Sequence, residues 1–272
     1  MTNKQIQSSV LSFTDQNSLI TADFLIEVAK GNVAGHSLVH KFGAGAFANG
    51  VFSEVTYTGA YQVPTTVTAL EFVSSSAQDG VGGTGAREVT VQGLDSNWEE
   101  VTQVVTTNGT TAVALPTSLF RMYRWYVSST GTYASSTMGS QAGDLTLQES
   151  GGGTEWDVIP VSPIGEAQST LGVFTVPAGK KAYLLSGNVF VDSNKDADLI
   201  FFQRPNADDV TSPYSGSRRI VSKFLAISGG FHISRRSPAG SFTGPCDLGF
   251  MGKGNGSSAD VSVDFEVLLV DE

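Results

Sequence analysis

ADVSVDFEVLLV (259–270) alternates without a break: Ala259, Val261, Val263, Phe265, Val267 and Leu269 fall on one side of an extended chain, and Asp260, Ser262, Asp264 and Glu266 on the other. Successive side chains of a strand point to opposite faces, so this stretch predicts a half-buried strand with one face on a core and one in water. Weaker forms of the signal recur upstream. VFSEVTY (51–57), VTALEFV (67–73), REVTVQG (87–93), EEVTQVV (99–105), LGVFTV (171–176), AYLLSGNVFV (182–191), DLIFFQR (198–204) and RIVSKFLAI (219–227) are short and rich in β-branched and aromatic residues. Clusters of Gly, Asp, Asn and Ser separate them, which predicts antiparallel strands joined by turns. Asp95-Ser96-Asn97 and Asn108-Gly109 sit where two hairpins are expected.

Composition agrees with an all-β chain. Of 272 residues, 31 are glycine, 40% are hydrophobic and only 15% are charged, so Ser, Thr, Asn and Gln must cover most of the surface. The net charge of −10 opposes binding to a phosphate backbone, and nucleic acid is not expected as a partner. No apolar run reaches the length of a membrane span, and the opening MTNKQIQSSVLSFTDQ lacks the apolar core of a signal peptide. The chain is therefore expected to remain in the cytoplasm where it is made, without a membrane partner. Cys246 stands alone, which rules out an intrachain disulfide and a Cys-based zinc site and leaves it as a small buried hydrophobe.

Punctuation divides the chain. QESGGGTEW and VIPVSPIGEAQS, within 148–170, are rich in glycine and proline and read as a linker. The expected organisation is an N-terminal arm (1–40), a first antiparallel β-sandwich of jelly-roll type (41–149), a linker (150–170) and a second such sandwich (171–272). Residues 19–30 suit either a short helix or an alternating strand, and are read as an arm or edge strand. Leu19, Ile20, Phe24 and Leu25 have few local partners there and are expected at an assembly interface. LFRMYRWYV (119–127) carries bulk on both sides, with Tyr123 and Trp125 on one of them. A strand loaded on both faces needs a second cover from another domain or subunit, which adds Tyr123 and Trp125 to that interface.

Gly80, Gly82 and Gly85 have dinucleotide-loop spacing, but a strand follows where the phosphate-binding helix is required. His36 and His40 have the spacing of zinc ligands on a helix, yet Ser37 stands where a metalloprotease carries its general base. Asp192, Asn194, Asp196 and Asp198 repeat the first half of a calcium loop, but Ala197 replaces the turn glycine and Gln203 the bidentate glutamate, leaving a polar hairpin turn. His232 reads as a partly buried packing residue. Arg218, Arg219, Lys223, Arg235 and Arg236 read as solvated strand ends, or as a basic face for an acidic protein surface. No nucleophile elbow or carboxylate pair stands out, so neither an enzyme nor a cofactor is expected.

GNVAGHSLVHKFG (31–43), GTGAREVTVQGLDSNWEE (83–100), NGTTAVAL (108–115), VPAGKKAYLL (176–185), CDLGFMGKG (246–254) and ADVSVDFEVLLVDE (259–272) together resemble a group of virion structural proteins of tailed phages, especially those infecting aquatic bacteria. The resemblance implies a non-enzymatic particle component made in the bacterial cytoplasm. The expected function is a capsid decoration (cement) protein, as a homotrimer bound to the major capsid protein or to neighbouring virion proteins. The alternative is a tail, adaptor or fibre component with a glycan-binding sandwich, for which an exposed groove lined by Tyr or Trp would speak.

Overall fold

The computed structural model describes residues 24–132, 140–162, 166–234 and 240–272. The first element among the described residues is the helix α1 (Phe24–Ala29). The strands that follow are β1 (His36–Phe47), β2 (Ser53–Glu54), β3 (Leu70–Ser74), β4 (Ala86–Leu94), β5 (Glu100–Thr106), β6 (Val113–Ala114), β7 (Arg121–Thr130), β8 (Leu145–Glu149) and β9 (Glu155–Ile159). After them come β10 (Val173–Val176), β11 (Lys180–Val191), β12 (Ala197–Pro205), β13 (Arg219–Ile227), β14 (Gly230–Ser234), β15 (Ser241–Thr243), β16 (Cys246–Gly254) and β17 (Ala259–Asp271).

These strands pair antiparallel in four sheets, as the turn-punctuated alternation predicts. The first runs β1-β17-β11-β14, with β15 also on β11, and the second β10-β16-β12-β13, with β2 on β16. The third runs β6-β3-β8-β9 and the fourth β5-β4-β7. The first two share one apolar core. Val261, Val263, Phe265, Val267 and Leu269 from β17 meet Phe174, Leu199, Phe201, Leu248 and Phe250 from the second sheet there. Phe201 lies edge-on to Phe250 and Phe265, with centroids 4.9 and 5.6 Å apart. Each such side chain contributes roughly 1.5–3 kcal/mol by leaving water. A second core joins the other two sheets, with Phe72, Leu147 and Trp156 packed against Val89, Val91 and Trp125.

Several elements differ from the sequence expectations. The N-terminal segment is helical at 24–29, where Val28 is buried, Phe24 and Ile26 are exposed, and Gly31 closes the helix at φ 76°. His36–Phe47 pairs along its whole length with β17, from His36 opposite Val270 to Phe47 opposite Ala259. Ser53–Glu54 pairs with β16. Residues 41–54, grouped by sequence with 55–149, thus hydrogen-bond to the C-terminal strands instead. The expected linker contains a strand: a register shift between Glu155 and Asp157 turns Trp156 to the side of Ile159, so both enter the second core, and Gly151 and Gly152, both at positive φ, form the turn before it. Glu71 accepts both glycine N–H groups, at 3.0 and 2.9 Å. The polar segment 192–196 is no hairpin turn, since it passes from β11 in the first sheet to β12 in the second.

Candidate functional site at the seam between the cores

LFRMYRWYV buries both of its faces within the chain itself. Met122 and Trp125 lie in the core of the third and fourth sheets, Phe120 and Tyr123 in the core of the first two. Simple alternation places Tyr123 and Trp125 together. A register shift separates them: Met122 pairs with Gly93 and Arg124 with Gln92, so Tyr123 is the extra residue of a bulge and turns to the opposite side. Trp98 stacks on Phe120 at 4.6 Å and Phe174 meets Tyr123 edge-on at 5.1 Å. The second cover expected from another domain or subunit is thus supplied here by the chain's own first two sheets.

A polar thread runs through this seam. Arg121, 2% exposed, donates from Nε to Asp247 Oδ1 at 3.0 Å, from Nη2 to Oδ2 at 3.3 Å, and from Nη1 to the Phe120 carbonyl at 2.9 Å. Its guanidinium lies 4.9 Å from the Trp98 ring centroid. Thr175 donates to Asp247 Oδ1 at 2.7 Å, Tyr61 is hydrogen-bonded to Thr175 at 2.9 Å, and Arg204 Nη1 stands 3.6 Å from Asp247 Oδ2. Two guanidinium groups therefore share one buried carboxylate. Burial, and then the charge of Asp247, push the Tyr61 phenol up, so it stays a neutral hydrogen-bonding group.

A second polar pair lies farther along β7. Lys41, buried on β1, donates to the Tyr123 carbonyl, and Arg124 donates to the carbonyl of His40. Asp157 accepts from Trp125 Nε1 at 2.7 Å. Burial raises the Asp157 carboxyl to about 7, against the hydrogen bonds from Trp125 and Val158 and the Lys41 charge. Burial likewise holds Lys41 well below the usual lysine range. Sequence reasoning missed these residues, although a signal exists: Arg121, Asp157 and Asp247 are single charges inside apolar strands, where an unpaired charge is not tolerated.

A cleft of about 310 Å³ opens beside the Arg121–Asp247 pair, with Val63, Pro64, Arg204, Asn206, Tyr214 and Arg218 on its walls. Tyr214 is 59% exposed. Arg218 is paired with Glu54 and its guanidinium sits 4.7 Å from the Phe202 ring centroid.

The other sequence candidates disperse. Leu19 and Ile20 lie outside the described residues, as do Arg235 and Arg236. Phe24 is exposed on α1 and touches the His36 ring at 5.6 Å, while Trp125 is fully buried. His36 and His40 occupy a strand, where a separation of four residues spans about 13 Å, too far for one metal ion. His232 is exposed and bonded to Asn188, not buried by packing. Asp198 accepts from Ala226 N–H and Asn255. Cys246 is buried, and burial pushes its thiol up to about 12. Gly80, Gly82 and Gly85 belong to a loop around Asp79, whose carboxylate accepts from Ser74, Ala86, Ala142 and Gly143. A Cβ on Gly85 would lie 2.0 Å from Asp79 Oδ1, so that glycine serves packing. Among the described residues no group of three or more His, Cys, Asp or Glu is placed to hold a metal ion.

No protein-family model matches the chain, and no curated protein is matched by it. Solved structures similar to it include the PBSX exported protein XepA, 11% identical over 84% of this chain and 86% of that one, with a TM-score of 0.19. A structure of infectious bursal disease virus, Gx strain, is 13% identical over 86% and 75%, at a TM-score of 0.21. The STIV MCP is 8% identical over 84% and 96%, also at 0.21. At such scores these likenesses carry no argument about this chain.

Proposed function

We propose that the chain is a non-catalytic structural component of a tailed-phage virion, built as a jelly-roll sandwich that carries a second sandwich as an insertion. Strand order is the observation that supports it. Counted in chain order, β1, β10, β11, β12, β13, β14, β16 and β17 are eight strands. In those terms one sheet reads first-eighth-third-sixth and the other second-seventh-fourth-fifth. All successive connections cross between the sheets except fourth to fifth. This is the order of an antiparallel ribbon wrapped into two facing sheets, the jelly roll of viral capsid and lectin domains. Strands β3 to β9 then form the inserted unit, and the two sandwiches comprise 36–54 with 171–272, and 68–161.

The favoured role is a capsid decoration protein, a homotrimer that bridges coat subunits. Its support is an uncovered apolar border: β13 and β14 end their sheets, and Ile220, Leu225 and Phe231 there are 60%, 59% and 40% exposed. Exposed strand edges bearing large apolar groups favour a partner surface. Phe24 and Leu25, with Leu19 and Ile20 before them, add a contact from the N-terminal segment. Quantitative mass spectrometry of purified particles tests the role: hundreds of copies per particle are expected, and absence from particles overturns the virion assignment. A few to tens of copies would select the second reading, a tail, adaptor or fibre component that binds a host glycan. The Tyr214 cleft supports that reading.

A further inference from the structure

The cleft between residues 63–65 and the 206–218 connection is built in advance of any ligand. Its floor is Arg121, fixed by three hydrogen bonds to Asp247 and the Phe120 carbonyl. Its outer wall is held by Asn206 to the Ser215 hydroxyl at 3.0 Å, by Ser215 N–H to Asp209 at 2.7 Å, and by Ala207 N–H to the Pro245 carbonyl at 3.0 Å. Gly216 lies so close that a Cβ would stand 2.9 Å from the Asn206 carbonyl oxygen. Such preorganisation lowers the ordering cost of binding.

Charge selects the ligand class. Arg121, Arg204 and Arg218 line the cleft together with Asp209, and Asp247 and Glu54 pair with the arginines. Three positive groups thus face three negative ones, which gives no net attraction for a free anion or a cation. What remains is a set of fixed donors and acceptors beside an exposed aromatic ring. Arg204 is bonded only loosely, at 3.6 Å from Asp247, so its N–H groups can be shared with a hydroxyl oxygen. Asn206 offers both a donor and an acceptor. The Tyr214 ring, 59% exposed, presents an apolar face, and Val63 and Pro64 add apolar groups to the lining. At about 310 Å³ the volume is at the small end of ligand sites.

We infer that this cleft binds a neutral saccharide unit, its ring against Tyr214 and its hydroxyls on Arg204 and Asn206; for its biological setting the assignment rests on the glycan-binding reading above. Saturation-transfer NMR with the full-length protein tests it, using the methyl glycosides of glucose, galactose and N-acetylglucosamine, with glucuronate and inorganic phosphate as anionic counterparts. Saturation transfer to at least one neutral glycoside is expected, reduced at least tenfold in affinity by Tyr214→Ala, an exposed position where the fold is preserved. Arg204→Lys, which keeps the charge beside Asp247, should weaken binding as well. No transfer to any neutral glycoside, binding that Tyr214→Ala leaves unchanged, or binding of the anions alone overturns the assignment. The particle copy number is read independently, so a decoration-level count would reject the tail setting without touching the saccharide site.

Discussion

Removing either partner of the Arg121–Asp247 pair should be among the most damaging single changes in the protein. Both side chains are almost fully buried, at 2% and 1% exposure, and loss of one member of such a pair costs about 3–5 kcal/mol because the other charge stays buried. The surroundings rank the two variants. After Arg121→Met, Asp247 keeps the Thr175 hydroxyl and Arg204 at 3.6 Å, so the loss belongs near 3 kcal/mol, the low end of that range. After Asp247→Asn, two guanidinium groups face each other with no anion between them, which belongs near 5 kcal/mol. At about 2–4 °C per kcal/mol for a chain of this size, the thermal midpoint should fall by roughly 6–20 °C. The double variant should lose less than the sum, by a coupling of about 0.5–3 kcal/mol. Urea titration with calorimetry on the four proteins measures all three quantities. Singles within about 1 kcal/mol of the wild type, additive behaviour in the double, or Arg121→Met worse than Asp247→Asn would each refute the account.

Two further substitutions probe the seam. Asp157 releases its proton near 3.8 in the unfolded chain and near 7 in the fold, so between those pH values the unfolded chain binds fewer protons. Its contribution is fully present below 3.8 and is lost as pH rises through 7. Asp157→Asn keeps the acceptor for Trp125 and removes the charge. Urea midpoints should therefore fall less from pH 5 to pH 8 in the variant than in the wild type, and an equal slope would remove Asp157 as the cause. Gly43→Ala would set a Cβ 2.1 Å from the Gly172 nitrogen and 2.4 Å from its Cα. Because both are backbone atoms, a loss of about 1–3 kcal/mol or more is expected by calorimetry, and a neutral result would show that β1 sits farther from residue 172.

The sequence by itself determined the local structure wherever one face of a strand is wet. β17 is legible because Asp260, Ser262, Asp264 and Glu266 mark the solvent side; the runs at 87–93, 182–191 and 198–204 lie within strands, and that at 99–105 does so from Glu100 onward. The breakers were legible too, yet their meaning was not: Gly151 and Gly152 punctuate a hairpin inside a sheet, not a linker. What only the tertiary structure decided is which strands belong together. His36–Phe47 pairs with a strand more than two hundred residues later, and nothing local to HSLVHKFGAGAF names that partner, since ladder hydrogen bonds use backbone groups that every sequence offers. The bulge that turns Tyr123 away from Trp125 arises from the register against β4, and alternation alone cannot foresee an extra residue. The seam follows the same logic. Arg121, Lys41, Asp157 and Asp247 were visible only as charges in apolar surroundings; each became paired or neutralised because strands distant in the chain brought a carboxylate, a carbonyl or an indole N–H to within hydrogen-bonding distance.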